Sequence, residues 1–345
     1  MSQQIVNRSS GPIDPMVRSR PLPKHSLLIG FGVVAIALLA FVSSSAPVFY
    51  GHMIVMTLIY AALATSWNII GGFAGQLSLG HAAFFGLGAY TSSILFVDFG
   101  ISPWIGLLIA LLGGATLGLL IGIPTFRLRG PYFALATLAL GIILLNVAVH
   151  FRELTGGHVG ISLPPTEGWG TMTFLNRWQY VVIAGGYLLV CLLISGIILS
   201  NRFGYQLAAV REDEEAARAL GVNATRVKLL AGTLSGGLAA GIGTIYAQYI
   251  LFLTPDSVLG TAVSIEIIVL AIVGGSGKLY GPLLGAVLLI PAGQLVLREF
   301  GGALPGLHTL VYGVIVIIVI LLFPRGIWGM LTDTAALINR RRKHS

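Results

Sequence analysis

The sequence predicts an all-α membrane protein, a polytopic bundle of about ten transmembrane helices, and three observations carry that prediction. First, 56% of the 345 residues are hydrophobic and only 9% are charged, with a mean hydropathy of +0.91. A soluble domain carries roughly 25% charged residues, so lipid is the main solvent of this chain. Second, apolar runs long enough to cross a bilayer recur along its length. Third, there are 46 glycines, many of them four apart, as in Gly114–Gly118–Gly122, Gly237 with Gly241, and Gly281 with Gly285. Helices in lipid associate through close backbone packing at small residues, and tight packing is how those spacings read.

The elements follow in order. Residues 1–25 are polar and proline-containing, with Arg8, Arg18, Arg20 and Lys24, and read as a disordered cytoplasmic segment. The apolar run at about 26–46 exceeds the roughly 7–15 residues of a signal-peptide core. Its candidate cleavage site, Ser44-Ser45-Ala46, is followed by Pro47, so a retained first helix is expected. Further spans are expected at about 48–70, 78–97, 103–123, 131–149, 179–199, 229–250, 264–277, 281–298 and 306–323. The eighth of these ten, 264–277, is short and hemmed by glycines, and a broken or partly inserted helix is an open alternative there. The chain thus divides into the segment 1–25, a membrane unit over 26–330 with an inner loop at about 201–228, and a basic cytoplasmic tail over 331–345.

The net charge of +8 would point to nucleic acid in a soluble protein. Here the basic residues cluster at the chain ends and between apolar runs, where the positive-inside rule accounts for them. The expected partner is the lipid bilayer, not nucleic acid. An amino terminus in the cytoplasm puts Arg127, Arg129, the Arg202–Lys228 segment, Lys278 and the tail Arg340-Arg341-Arg342-Lys343 on the inside. The segment 151–178, long and poor in basic residues, falls outside. The single cysteine, Cys191, lies in an apolar run and forms no internal disulfide or cysteine metal cluster; it reads as a small core hydrophobe. No HExxH, no GxSxG elbow and no cysteine–histidine pair occurs, so no catalytic residue and no metal site are expected.

Two stretches carry candidate chemistry. In Gly71–Gly80 the glycines interrupt an apolar run, and Gln76, Ser78 and His81 lie close together. Broken helices in membranes expose backbone groups and half-helix ends that can meet a zwitterion. Two readings stand for these residues. They line a translocation pathway, or they form a kink whose polar side chains satisfy each other, with His81 a packed core histidine. Glu266 is the acid most plainly set in an apolar segment, and intramembrane charges usually face a cavity or a partner. It either belongs to the pathway or sits near the outer end of a short helix, in water. Asp98 and Asp256 read as interfacial.

The second stretch runs Ala209-Val210-Arg211-Glu212-Asp213-Glu214-Glu215-Ala216-Ala217-Arg218-Ala219-Leu220-Gly221. It predicts one short exposed helix, with i,i+4 pairs Arg211–Glu215 and Glu214–Arg218 and an apolar stripe of Val210, Ala217 and Leu220. Gly221 suits the left-handed position past its end. Such a helix either docks a soluble partner or lies as a solvated surface element, and its four successive acids disfavour an anionic membrane surface.

Glu215-Ala216-Ala217, three residues, then Gly221 resembles the E-A-A-x-x-x-G coupling loop of ABC-importer permeases, which sits in a cleft on the ATPase subunit. That family's longer pattern ends in I-x-L-P, where this chain has Ala231-Gly232-Thr233. A broader resemblance covers roughly residues 48–330. The stretch from Ser66-Trp67-Asn68 through Gly75-Gln76-Leu77-Ser78-Leu79-Gly80-His81 to Gly86 is similar to the signature of branched-chain amino-acid permeases. So are Arg127-Leu128-Arg129-Gly130-Pro131-Tyr132-Phe133-Ala134 and Thr155-Gly156-Gly157-His158-Val159-Gly160-Ile161, and so are Ser264-Ile265-Glu266-Ile267-Ile268, Tyr280-Gly281-Pro282 and Phe323-Pro324-Arg325-Gly326. The M-type subunit is the nearer match.

The resemblance implies the fold of ABC-importer permeases with a cytoplasmic coupling helix, in the bacterial inner membrane. It implies Arg211, Glu215, Ala216, Ala217, Arg218 and Gly221 as coupling residues, and as partners a second permease, two ABC ATPases and an extracytoplasmic solute-binding protein. Leucine, isoleucine and valine are the implied cargo, with urea or short amides second. A secondary transporter is the alternative of another class, but it would need a coupling-ion site, and buried acids are few. Leu234-Ser235-Gly236-Gly237 is similar to the ABC ATPase signature yet lies in a membrane span. Gly277-Lys278 is followed by Leu279, without the hydroxyl that a phosphate loop uses for magnesium. No cofactor is therefore expected in this chain, and the partner ATPases are implied to hold ATP and magnesium.

Overall fold

The computed structural model describes residues 25–126, 128, 130–300, 307–322 and 326–329. The predicted amino-terminal segment up to Lys24, Arg127, Arg129, Phe323-Pro324-Arg325 and the basic tail lie outside the described residues.

The described chain is almost entirely helical. Its helices are α1 (His25–Ser45), α2 (Val48–Asn68), α3 (Ala82–Phe99), α4 (Pro103–Thr125), α5 (Pro131–His150), α6 (Arg152–Thr155), α7 (Arg177–Ser200), α8 (Arg202–Glu212), α9 (Glu214–Ala219), α10 (Ala224–Ile250), α11 (Pro255–Leu259), α12 (Thr261–Gly275), α13 (Gly281–Phe300) and α14 (Leu307–Leu322). Among the described residues, eight helical stretches are long and apolar enough to cross a membrane. They are α2 with the π turn Ile69–Phe73 that prolongs it, α3, α4, α5, α7, α10, α11 with α12, and α13. The apolar α1 and the 16-residue α14 bring the bundle to the predicted size. Two helices start at the prolines, Pro103 and Pro131 occupying first turns, where a missing N–H costs nothing. The third span, expected from residue 78, starts only at Ala82, and α10 starts earlier than expected, at Ala224.

Successive spans alternate between the two ends of the bundle. One end carries Gly75, Phe126, Leu128 and Gly130, the α8–α9 arm and residues 276–280. The other carries Pro47, residues 100–102 and 151–176, and residues 251–253. Among the described residues, Arg202, Arg211, Arg218, Arg226, Lys228 and Lys278 belong to the first end, and Arg152, Arg177 and Arg298 to the second. The positive-inside rule makes the first end cytoplasmic.

α2 and α10 form the core. From Val55 to Asn68 every α2 residue is buried, as is every α10 residue from Ser235 to Gln248. Glycines let α10 press directly on its neighbours. A Cβ at Gly88 of α3 would lie 1.8 Å from the Ala240 carbonyl oxygen, and one at Gly243 would lie 2.1 Å from that of Phe85. On the α4 side, Gly114 and Gly118 face Gly236 and Gly232 in the same way, so the predicted four-residue glycine spacing marks a real crossing.

The outer segment 151–178 is ordered and tied down. Its strand β1 (Ile161–Ser162) pairs antiparallel with β2 (Phe252–Leu253). The Trp104 indole donates to the Trp169 carbonyl at 2.6 Å, and the Tyr180 hydroxyl, which donates to the Gln248 carbonyl at 2.9 Å, accepts from the Phe174 N–H at 3.3 Å.

Candidate translocation and coupling sites

The glycine-rich break after α2 is a non-helical stretch, exposed at Gly75 and Leu77 and buried at Ser78 and Gly80. The chain leaves the π turn at the cytoplasmic end and rises along α5 and α10 before α3 starts at Ala82. Irregular backbone at membrane depth must find partners within the protein, and side chains supply them here. The Trp67 indole donates to the Ser78 carbonyl at 2.9 Å. The Leu79 N–H donates to Thr137 Oγ1 at 3.0 Å, and the Ala82 N–H to Ser264 Oγ at 2.9 Å. Gly80 lies so close to α5 that a Cβ there would sit 2.0 Å from the Thr137 carbonyl oxygen.

The three polar residues of the break face different spaces. Ser78 and His81 are buried around a small cavity of 30 Å³ shared with α3, α4, α5 and α10. His81 Nε2 lies 3.3 Å from Ser235 Oγ, whose hydroxyl donates to the Ser66 carbonyl at 2.6 Å. Its Nδ1 has no hydrogen-bond partner among the described residues. Gln76 instead borders an open depression of 400 Å³ at the cytoplasmic end, beside Gly130, Pro131 and Leu135. Glu266 stands apart, on a different side of α12 from Ser264, and lines a cleft with α2, α13 and α14.

The cytoplasmic arm departs from its predicted form. It is two helices, not one, because Asp213 adopts an extended conformation and caps α9, its Oδ1 accepting from the Glu215 and Ala216 N–H groups at 2.9 and 3.0 Å. Of the predicted apolar stripe, Val210 and Ala217 are buried but Leu220 is 86% exposed. The helix ends at Ala219, so Leu220 lies beyond the packed face. Gly221 holds φ of +88°, the left-handed conformation expected of it.

The predicted Glu214–Arg218 pair forms at 2.6 Å. The spacing alone did not reveal that Glu214 also receives the Lys228 ammonium of α10 on both oxygens, at 3.0 Å each. Lys228 is completely buried, so this pair fastens α9 to the central helix. Arg211 donates to the Gly72 carbonyl at 3.3 Å and to Glu212 at 3.0 Å, fastening α8 to the π turn. Asn68 completes the junction: its Nδ2 donates to the Lys278 carbonyl at 3.0 Å, and its Oδ1 accepts from the Gly277 N–H at 2.8 Å. The α12–α13 turn, the end of α2 and the arm therefore meet at one point.

The multi-span bundle, its irregular buried stretch and the exposed arm clipped to its two central helices place the chain among polytopic membrane proteins. A family described as "Branched-chain amino acid transport system / permease component" matches residues 49–320, and the chain belongs to that family. It is 30% identical to the high-affinity branched-chain amino acid transport system permease protein LivM of Salmonella typhimurium, over 96% of this chain and 81% of that protein. It is also 30% identical to LivM of Escherichia coli, over 99% of this chain and 84% of that one. The probable branched-chain amino acid transport permease protein LivH of Methanocaldococcus jannaschii is 28% identical over 71% of this chain and 80% of its own. These relatives are transport permeases, not enzymes, and the expectation of an M-type membrane permease stands.

Proposed function

We propose that this chain is the permease subunit of an ATP-driven importer in the bacterial cytoplasmic membrane, working with a second permease, two ATPase subunits and an extracytoplasmic binding protein. Its cargo is leucine, isoleucine and valine, a reading supported by the family and by the names of the LivM relatives. The observation that carries the motor part is the arm itself, exposed at Leu220 and tied to both α2 and α10.

In this mechanism ATP closure of the motor displaces α9 through Glu215, Ala216, Ala217, Arg218 and Gly221. The buried Lys228–Glu214 pair passes that displacement to α10, and Arg211 passes it to the π turn of α2. The bundle then exposes its route alternately outward and inward. Gln76 lines the inner mouth of that route. Ser78 and His81 join it when their small cavity widens, and Glu266 meets it from its own cleft on the other side of α12. ATP and magnesium are bound by the partner ATPases.

The test is Gly221→Pro and Glu215→Lys in the intact transporter. Proline cannot adopt a positive φ, and lysine reverses the charge at the start of α9. Both variants should insert normally yet lose recovery of the ATPase and ATP-driven leucine uptake. Full recovery of both would reduce the arm to a surface element.

A further inference from the structure

Glu266 lies mid-way along the apolar stretch Pro255–Gly275. Its carboxylate accepts a hydrogen bond from Tyr60, and Tyr60 sits at the centre of the 26-residue span Val48–Phe73. The pair is therefore close to the middle of the bundle. Both side chains border a cleft of 610 Å³ between α2, α12, α13 and α14. A third polar group, Gln294 of α13, lines the same cleft, and the walls around the three are Met56, Ile290 and Leu297.

A carboxylate facing lipid in mid-membrane is costly, and such groups mark a polar route or ligand. This cleft sets one carboxyl group near one amide, which both donates and accepts, among aliphatic walls. That set complements a zwitterion with a branched aliphatic side chain: ammonium on Glu266 and the Tyr60 oxygen, carboxylate on the Gln294 amide, side chain against Met56, Ile290 and Leu297. The volume falls within the about 300–1,000 Å³ of small-molecule sites. We propose that this cleft is a substrate station of the permease, binding the aliphatic amino acid directly. The inference rests on the cargo reading above and adds selection within the membrane to whatever a binding protein selects.

The experiment uses the whole transporter in proteoliposomes with Ile265→Cys as reporter. Ile265 lines the cleft and is 53% exposed, while the native Cys191 is fully buried and silent. Leucine should slow labelling by a water-soluble maleimide at least tenfold, whereas 4-methylpentanoate, which lacks the ammonium, should not. Glu266→Gln and, separately, Tyr60→Phe should weaken that protection and lower uptake per assembled complex by tenfold and several-fold. The station is overturned if leucine gives no protection while the parental transporter imports leucine, or if protection survives Glu266→Gln. Labelling by only a lipid-soluble maleimide would also overturn it, by making the cleft an acyl-chain groove. A parental transporter that imports no leucine would instead remove the cargo reading, and with it the ligand named for this cleft.

Discussion

Glu214→Gln tests the link between the arm and the core. Lys228 is completely buried, and its ammonium meets both Glu214 oxygens at 3.0 Å. Neutralising Glu214 leaves that ammonium without its anion, and removing one partner of a buried pair costs about 3–5 kcal/mol. α9 has only six residues, too few to persist as an isolated helix, so the cost should appear as local opening of the arm. At about 1.4 kcal/mol per tenfold, amide exchange in 213–222 should rise by between a hundred- and a few thousand-fold. Hydrogen–deuterium exchange on the lipid-embedded transporter measures this directly. Two controls sharpen it. Arg218→Ala removes the half-exposed partner and should cost about 1 kcal/mol or less, below tenfold. Glu214→Gln with Lys228→Met removes both charges and should return most of the protection, since an apolar replacement of a buried pair is often neutral. The reasoning is refuted if Glu214→Gln opens α9 no more than Arg218→Ala does, if the double variant stays as open as the single one, or if the parental amides already exchange freely.

Three further outcomes are expected. Gly88→Ala places a methyl 1.8 Å from the Ala240 carbonyl oxygen; overpacking of this kind costs typically about 1–3 kcal/mol, so its thermal midpoint in detergent should fall, while Gly186→Ala, which meets nothing within 4 Å, should not change it. Gln76→Ala and Ser78→Ala should slow uptake while leaving assembly intact, and parental rates in both would place the route elsewhere. Single cysteines in 151–176 and in 205–225 should react with an impermeant thiol reagent from opposite sides of the membrane, and same-side labelling would reverse the assigned orientation.

The spans were legible in the sequence because apolar length is a direct physical requirement of the bilayer. The break at Gly71–Gly80 was legible too, but not its course, because the climb depends on Thr137 and Ser264, far away in the chain, satisfying its N–H groups. In the arm, Asp213 misled. It sits among residues whose i,i+4 charges favour one helix, yet its short side chain caps better than it continues, and the short helix it starts ends at Ala219, leaving Leu220 beyond the packed face. The Lys228–Glu214 pair was invisible to a local reading. Its members are fourteen residues apart and meet only because α10 turns back beneath α9. Glu266 stood out as a lone acid in an apolar run, but its companions Tyr60 and Gln294 come from α2 and α13, and no spacing links them.

The glycine crossings described for α3, α4 and α10 also determine which parts of the bundle can move. Backbone resting on backbone leaves no layer of side chains to re-rotamer, hence no slip plane. A push delivered through α9 must carry α3 and α4 along with α10 as one solid. α5 is held over less of its length: it buries only Phe133, Ala134, Thr137, Gly141 and Ala148, and it meets that solid mainly through the non-helical ribbon at Leu79 and Gly80. Shear should therefore concentrate between that solid and α5, and the ribbon carrying Gln76, Ser78 and His81 is the seam along which it would run.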